Sequence, residues 1–543
     1  MESYLRKHWP QGSVSVSCRV YASQRRADEH RRLQLSATGI ELRAVAAASS
    51  SSEPDVIPWD WILGASESTS GIRRRFVPAY EGSEYGEEKE FVVFGCAPKP
   101  EGAGRGGIVG GLASLATAVL PTALTASKAQ GQAVERVLLQ WVFGCDEEDG
   151  DAVAMRTVKA IRFLADPRIQ QGVKAAEKLL DPYGFIPPRK FMVVINPAGG
   201  TGNAQQTFEK QVAPMLEQAN VEVETVLTRQ AAHATEILAD LPLNKYDCVV
   251  AVGGDGLLSE MLQGLMKHKD WQQAILQPLG IIPGGSGNGL SASLLSRAGE
   301  RFEAINAAYS LAKGQVQELD LFTAANGDGK TMYGFLSLEW AFIADMDIKS
   351  ERYRFFGDMR FLIASTLQIF GFGQTNFPGR LRYLVSKDDE TEPAKYHDTF
   401  SRAETTDSPA CICLGQKQSE EEDAKWQEMD GPFYMFWSMN VSHAAADAHI
   451  APPAGISDGY FHLMLVSGES YSRMGLAKLM MGIEDGSHLN VDRVQLIRTR
   501  AFSVRASNTD DLMCVDGELF PGPEVKIEVH RALGRVLCLP AKK

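Results

Sequence analysis

The sequence predicts an α/β domain built on a parallel sheet, followed by an antiparallel β-sandwich and preceded by a small mixed domain. Three observations carry that expectation. From about 188 to 325, short apolar runs alternate with amphipathic stretches, as β-α-β units require. From 326 to 543, strand-like runs follow one another closely. Before about 185, a few strand-like runs end in a single helical pattern.

In the first block (1–185), "FVVFG" at 91–95 and "VLLQWVFG" at 137–144 read as strands, and 154–163 has helical spacing. Strands closed by one terminal helix suit a small regulatory module that binds lipid or protein. A flexible insertion is expected near 97–133. Within it, Gly107–Ala126 is twenty residues without a charge, nominally long enough to span a bilayer. Gly, Ala, Ser and Thr dominate it and Pro121 interrupts it, so its transfer energy is weak. An insertion, or a patch that touches a membrane surface, fits it better than a span.

In the second block (188–325), "FMVVINP" (191–197) is a continuous apolar run ending in Asn-Pro, as a buried parallel strand should. Phe208, Val212 and Leu216 then recur at helical spacing. "VEVETVLT" (221–228) alternates as a strand, "HATEILADL" (233–241) reads as a helix, and "DCVVAV" (247–252) is another buried strand. "LLSEMLQGLMKH" (257–268) is a helix with apolar residues at 258, 261, 262 and 265, and "LGIIPGG" (279–285) is a further strand. Repeated units of this kind put ligands at the carboxyl ends of the strands.

The third block (326–543) contains "YGFLSLEWAFIA", "RLRYLV", "FYMFWSMNV", "YFHLMLV", "AFSVRA" and "VKIEVH", a series that predicts the sandwich. Its interruption at 386–430 holds "SEEEDAKW" and few large apolar groups, the composition of a disordered, solvated loop.

Composition narrows the function classes. With 44% hydrophobic and 23% charged residues the chain is ordinary for a soluble protein. Its net charge of −13 argues against nucleic acid as a partner, since a phosphate backbone needs clustered Lys and Arg. Eight cysteines without a CxxC pair suit a reducing compartment, and "MESYLRKHWPQGS" lacks the apolar core of a secretory signal. The expected location is cytoplasmic.

The chemistry concentrates in three glycine clusters, each after an apolar strand: "NPAGGTGNA" (196–204), "GGDG" (253–256) and "PGGSGNG" (283–289). Glycine lets a backbone approach a phosphate chain closely, and amide N–H groups at a helix start offer donors and partial positive charge. One such cluster is usually only a turn. Three at successive strand ends fall on one edge of the sheet.

This triplet resembles the catalytic domain shared by diacylglycerol kinases and sphingosine kinases, though "GGDG" alone would also admit NAD kinases. "LSLEWAFIADMDIKSERYRFFGDMRF" (336–361) is similar to the segment that marks sphingosine kinases, and "GIEDGSHLN" (482–490), "CVDGELFPG" (514–522) and "VHRALGRVLCLP" (529–540) resemble their late motifs. The resemblance spans roughly 188–540. It implies an ATP- and Mg2+-dependent lipid kinase acting on the primary hydroxyl of a sphingoid long-chain base, drawn from a membrane surface by peripheral association. The competing readings are a ceramide or diacylglycerol kinase, and a catalytically silent lipid-binding protein.

Asp255 is the expected catalytic base: a carboxylate at a helix start favours its ionised form and can accept a hydroxyl proton. The bland alternative is an N-capping aspartate. The resemblance implies ATP binding through Asn196, Pro197, Gly199, Gly200, Gly202, Thr228, Gly254, Gly256, Gly285, Ser286, Gly287 and Asn288. It adds Arg354 and Arg360, whose planar forks suit phosphate oxygens. Asp516, Gly517 and Glu518 face the nucleotide in this family, although Asp-Gly is also a strong hairpin signal; the metal ligands stay unassigned. For the substrate, the resemblance implies Asp347, with Asp345 as its neighbour and Ser337 as a polar lining residue. A sphingoid base carries an ammonium that a carboxylate can pair with, and diacylglycerol carries none. His233 and His488 read as packed or capping residues, and Asp458-Gly459 as a turn. Two positions depart from the family pattern: Thr201 replaces a common lysine in the phosphate loop, and Glu339 replaces a small residue before Trp340.

Overall fold

The structure, a computed structural model, describes residues 15–21, 30–44, 55–67, 90–99, 133–145, 150–171, 178–181, 184–200, 202–285, 287–345, 376–386, 393–400, 409, 411, 426–468 and 470–542. Gly107–Ala126 falls outside them. No helix among the described residues is long and apolar enough to cross a membrane.

The first part is a seven-stranded antiparallel sheet and one helix. Strands β1 (Ser15–Tyr21), β2 (His30–Leu35), β3 (Gly39–Ala44), β4 (Asp55–Pro58), β5 (Ile62–Glu67), β6 (Glu90–Pro98) and β7 (Arg136–Cys145) lie in the order β4-β3-β2-β1-β7-β6-β5. Helix α1 (Gly150–Ala165) follows and packs Val158, Ile161 and Leu164 against Phe91, Val93 and Phe143. The intervening β6 residues Val92, Phe94 and Cys96 face the other way, into a core shared with Phe191, Val212, Met215 and Leu216. Both faces of β6 are therefore buried, which explains its unbroken apolar run.

The second part carries parallel strands β8 (Arg189–Ile195), β9 (Val221–Leu227), β10 (Cys248–Gly253) and β11 (Leu279–Pro283) in the order β11-β10-β8-β9. Every residue of β10 is buried. The chain leaves β8 towards one side of the sheet and β10 towards the other, so the crevice beyond their carboxyl ends is a topological switch point. Helices α2 (Asp255–Lys267), α3 (Gly289–Ala298) and α4 (Ala304–Lys313) follow those strands.

The rest of the chain divides between two sheets. Strands β12 (Gln315–Ala325), β13 (Thr331–Gly334), β15 (Gly379–Leu384), β16 (Trp426–Asp430), β20 (Ala501–Ala506) and the long β23 (Glu524–Cys538) extend the parallel sheet. Strand β23 makes the junction, running antiparallel to β12 and β20 and parallel to β11 at Leu279↔Val536. Strands β14 (Ser337–Trp340), β17 (Phe433–Met439), β18 (Phe461–Ser467), β19 (Gln495–Thr499), β21 (Met513–Val515) and β22 (Glu518–Leu519) form a six-stranded antiparallel sheet. The two share one core, in which Trp340, Phe433, Phe436, Phe461 and Phe502 are in ring contact.

Two local expectations need correcting. "YGFLSLEWAFIA" is not one strand: after β14, Ala341 takes a left-handed φ of 62° and 342–345 turns helical. The stretch 386–430 is not solvated throughout. Tyr396 is buried edge-on against His530, Lys395 pairs with Glu318, and β16 is laddered to β15.

Candidate active site

The glycine clusters converge at the switch point, and their close contacts require glycine. A Cβ on Gly200, which sits at φ 56°, would lie 2.8 Å from the Gly284 carbonyl oxygen. One on Gly254 would lie 2.7 Å from the Gly287 carbonyl oxygen, and one on Gly285 would lie 2.5 Å from the Gly254 backbone. Real Cβ atoms do not approach backbone so closely, so all three loops depend on the missing side chains. Around them, Asn196 donates its N–H to Val252 O at 3.2 Å and accepts from Ala198 N–H on Oδ1. Pro197 and Gly199 continue that turn, and Gly202 (φ 75°) closes it with an N–H to Gly199 O. Thr228 lies just past β9, its N–H on Ile195 O at the adjacent strand end. Asn288 is buried and donates Nδ2–H to Gly285 O at 2.7 Å, while its Oδ1 has no partner among the described residues.

Asp255 opens α2, but its carboxylate serves α3. Oδ2 accepts from Gly289 N–H at 2.5 Å and Oδ1 from Leu290 N–H at 3.3 Å. The capping alternative is thus realised on the neighbouring helix rather than its own. Burial pushes its pKa up to about 6, against the lowering effect of those two amides. A Cβ on Gly287 would stand 3.8 Å from the Asp255 Oδ2, and Gly289 has the His443 and Ala444 carbonyl oxygens 2.6 Å from where a Cβ would stand.

Asp516 and Gly517 form the two-residue turn between β21 and β22, both with positive φ (51° and 78°). The same aspartate also works at a distance: its carboxylate accepts the N–H groups of Phe335, Leu336 and Ser337 at 2.9–3.0 Å. Burial raises its pKa to about 7, with the charge on Asp255 adding to the effect. Glu518 reaches the mouth of the site, its Oε1 3.7 Å from where a Cβ on Gly256 would stand. Ser337 is fully buried, its amide on Asp516 and its hydroxyl 3.4 Å from Glu339 Oε1. Asp345 is half-buried at the end of the helical turn, where its charge contributes to the raised pKa of Asp511. Ser286, Asp347, Arg354, Arg360 and Thr201 lie outside the described residues.

Sequence reasoning did not single out the Gly289 and Leu290 amides or the 335–337 amides that hold the two carboxylates. The glycine ending "PGGSGNG" was the available signal for the first pair. Nothing local announces the second. His488 is packed, as read: both ring nitrogens face backbone carbonyls, of Gly482 and Ile450. Asp458 is the turn residue expected, accepting from Gly455 and Tyr460 N–H.

Residues 190–324 match the diacylglycerol kinase catalytic domain, and 423–538 match the YegS C-terminal NAD kinase beta sandwich-like domain. Sphingosine kinase 1 from Rattus norvegicus is 31% identical over 359 residues, 64% of this chain and 91% of that protein. The chain belongs to the sphingosine kinase family. Sphingosine kinase 1 from Arabidopsis thaliana is 33% identical over 315 residues, and the match spans 58% of this chain and 64% of that relative. A crystal structure of a diacylglycerol kinase from Bacillus anthracis str. Sterne overlaps 65% of this chain and 97% of its own, at 17% identity and a TM-score of 0.41.

The tight loops make one further expectation concrete. Gly285→Ala places a methyl against the Gly254 and Gly253 backbone, which cannot yield as a side chain would. Overpacking of this kind costs about 1–3 kcal/mol. If the loop relaxes away from that clash in the free protein, nucleotide binding must force it back, so the KM for ATP should rise by up to roughly 5- to 150-fold, the factor equivalent to that cost, in a protein that still folds. An unchanged KM would mean that the loops do not meet the nucleotide.

Proposed function

We propose that this sphingosine kinase family member transfers the γ-phosphoryl group of ATP to the primary hydroxyl of a sphingoid long-chain base. The carrying observation is the convergence of three glycine loops, Asp255 and Asp516 at the switch point of the sheet. The Cβ-free cradle fits a phosphate chain, and the buried Asn288 Oδ1, without a partner among the described residues, fits a donor on the nucleotide or its hydration shell. Mg2+ would enter with the phosphates, as it usually does in phosphoryl-transfer sites. When bound it would neutralise charge on the transferring group. Arg354 and Arg360 would hold phosphate oxygens, and Asp516, Gly517 and Glu518 would border the nucleotide.

Asp255 would accept the hydroxyl proton of the lipid. Held by two amides against α3, its carboxylate cannot swing, so the acceptor must come to it. Asp347 would pair with the substrate ammonium, with Asp345 beside it and Ser337 lining the pocket. The substrate resides in a membrane, and peripheral contact with that surface is the delivery route. Purified protein with labelled ATP should phosphorylate a free long-chain base and leave its N-acylated form and diacylglycerol nearly untouched. Equal labelling of the acylated lipid would overturn the substrate assignment; no labelling of any lipid would overturn the kinase.

A further inference from the structure

Helix α3 is held at both ends. Its first amides sit on the Asp255 carboxylate. Its far end is held by the residues leading into β7: Val134 N–H donates to Gly299 O at 2.9 Å, and Arg301 N–H returns to Val134 O at 3.0 Å. Next to that bridge, Arg136 of β7 forks onto Glu300, Nε to Oε2 at 2.7 Å and Nη2 to Oε1 at 2.6 Å. Asn306 of α4 donates to both Glu300 Oε2 and Val134 O. The guanidinium lies 3.4 Å over the Tyr309 ring, and the two charged side chains are only 9% and 4% exposed.

The grip does not rest on this pair alone. Lys313, buried at the end of α4, donates to the carbonyls of Trp59, Ile62 and Ala165, all in the N-terminal part. Tyr309 Oη–H donates to Asp60 O at 2.7 Å. Val92, Phe94 and Cys96 close the apolar core behind β8. A sheet fixed by paired charges, carbonyl contacts and a shared core is tied to the helices it holds.

We infer that the N-terminal sheet positions Asp255 through α3, so that Arg136 and Glu300 are positioning residues for phosphoryl transfer. The inference rests on the reading of Asp255 as the base. It makes the first block a working part of the catalytic geometry. A shift of α3 along its axis would pull the Gly289 and Leu290 amides from the carboxylate. Among the described residues, Asp516 is a charged group coupled to Asp255, and it is anchored to 335–337 and would stay.

The test is the double variant Arg136→Met with Glu300→Gln, which leaves no unpaired buried charge and so preserves the fold. Its kcat should fall about tenfold, with the KM values for ATP and lipid within about threefold of the parent. The acid limb of its kcat/KM profile should move to higher pH, because the two amides that favour the ionised carboxylate are withdrawn. A folded variant with parental kcat, or with reduced kcat and an unmoved limb, overturns the inference. Asn306→Ala is the milder second variant and should shift both quantities in the same direction by less; no shift in it counts against the clamp if the double variant fails to fold. Asp255→Asn measured alongside separates the two readings. Parental turnover there removes the base itself, whereas an inactive Asp255→Asn beside an unaffected clamp variant removes only the clamp.

Discussion

Asp255→Asn should fold, unfold at a temperature no lower than the parent, and lose about 10²–10⁴ of its turnover, the usual span for a positioned general base. The asymmetry follows from where the carboxylate sits. It is buried, and burial raises its pKa from 3.8 to about 6, so the folded state holds an ionised group that the unfolded chain holds more easily. Two amides offset part of that cost, and an asparagine Oδ1 can keep the shorter bond to Gly289 N–H. The charge is therefore a burden to stability and an asset to chemistry, as expected of a functional group. A folded Asp255→Asn protein with near-parental turnover would sink the catalytic role.

The pH dependence separates the same two effects. The folded pKa of Asp255 lies above its unfolded value, so the stability it contributes is full below about pH 4 and is lost as pH rises to about 6. Asp516, raised to about 7, acts in the same direction over a longer window. Activity runs the opposite way. A base must be ionised, so kcat/KM should climb through about pH 6 rather than near pH 4, where an ordinary aspartate titrates. These two carboxyls thus favour the fold most where the enzyme is least active, and Asp255→Asn should flatten part of the stability slope between pH 4 and 6.

The fold was legible where the chain states it locally. Strands β8, β10 and β11 are buried on both faces, and their apolar runs ended where the glycine loops began. The convergence of those loops could be inferred because parallel strands place all their carboxyl ends on one edge. What could not be read was who covers whom. "VKIEVH" looks like any half-buried strand, yet as part of β23 it joins the second and third blocks in one sheet. Nothing in sequence separates Arg136 or Lys313 from surface cations, because their burial is decided by partners 164 and 148–254 residues away. Asp255 and Asp516 were found through their motifs. The five amides that hold them were not, since backbone donors carry no sequence signature.

Asp347→Asn should raise the KM for a sphingoid base by roughly 10–150-fold while leaving the KM for ATP close to the parent. The chain reaches this residue directly from the anchored strand β14: Trp340 is fixed in the aromatic core, and the helical turn ends with Asp345 N–H on Ala341 O. Asp347 follows two residues later in the sequence. Asparagine preserves the shape and most of the hydrogen bonding, so the quantity lost is chiefly charge. For a partly desolvated charge-assisted contact that loss is on the order of 1.5–3 kcal/mol, which sets the expected factor. An N-acylated base or diacylglycerol, offering no cation, should be indifferent to the change. Should the KM for ATP move while the lipid KM stays, Asp347 belongs to the nucleotide side. If neither moves, it is a turn residue, and the preference for an amine-bearing lipid must come from another group.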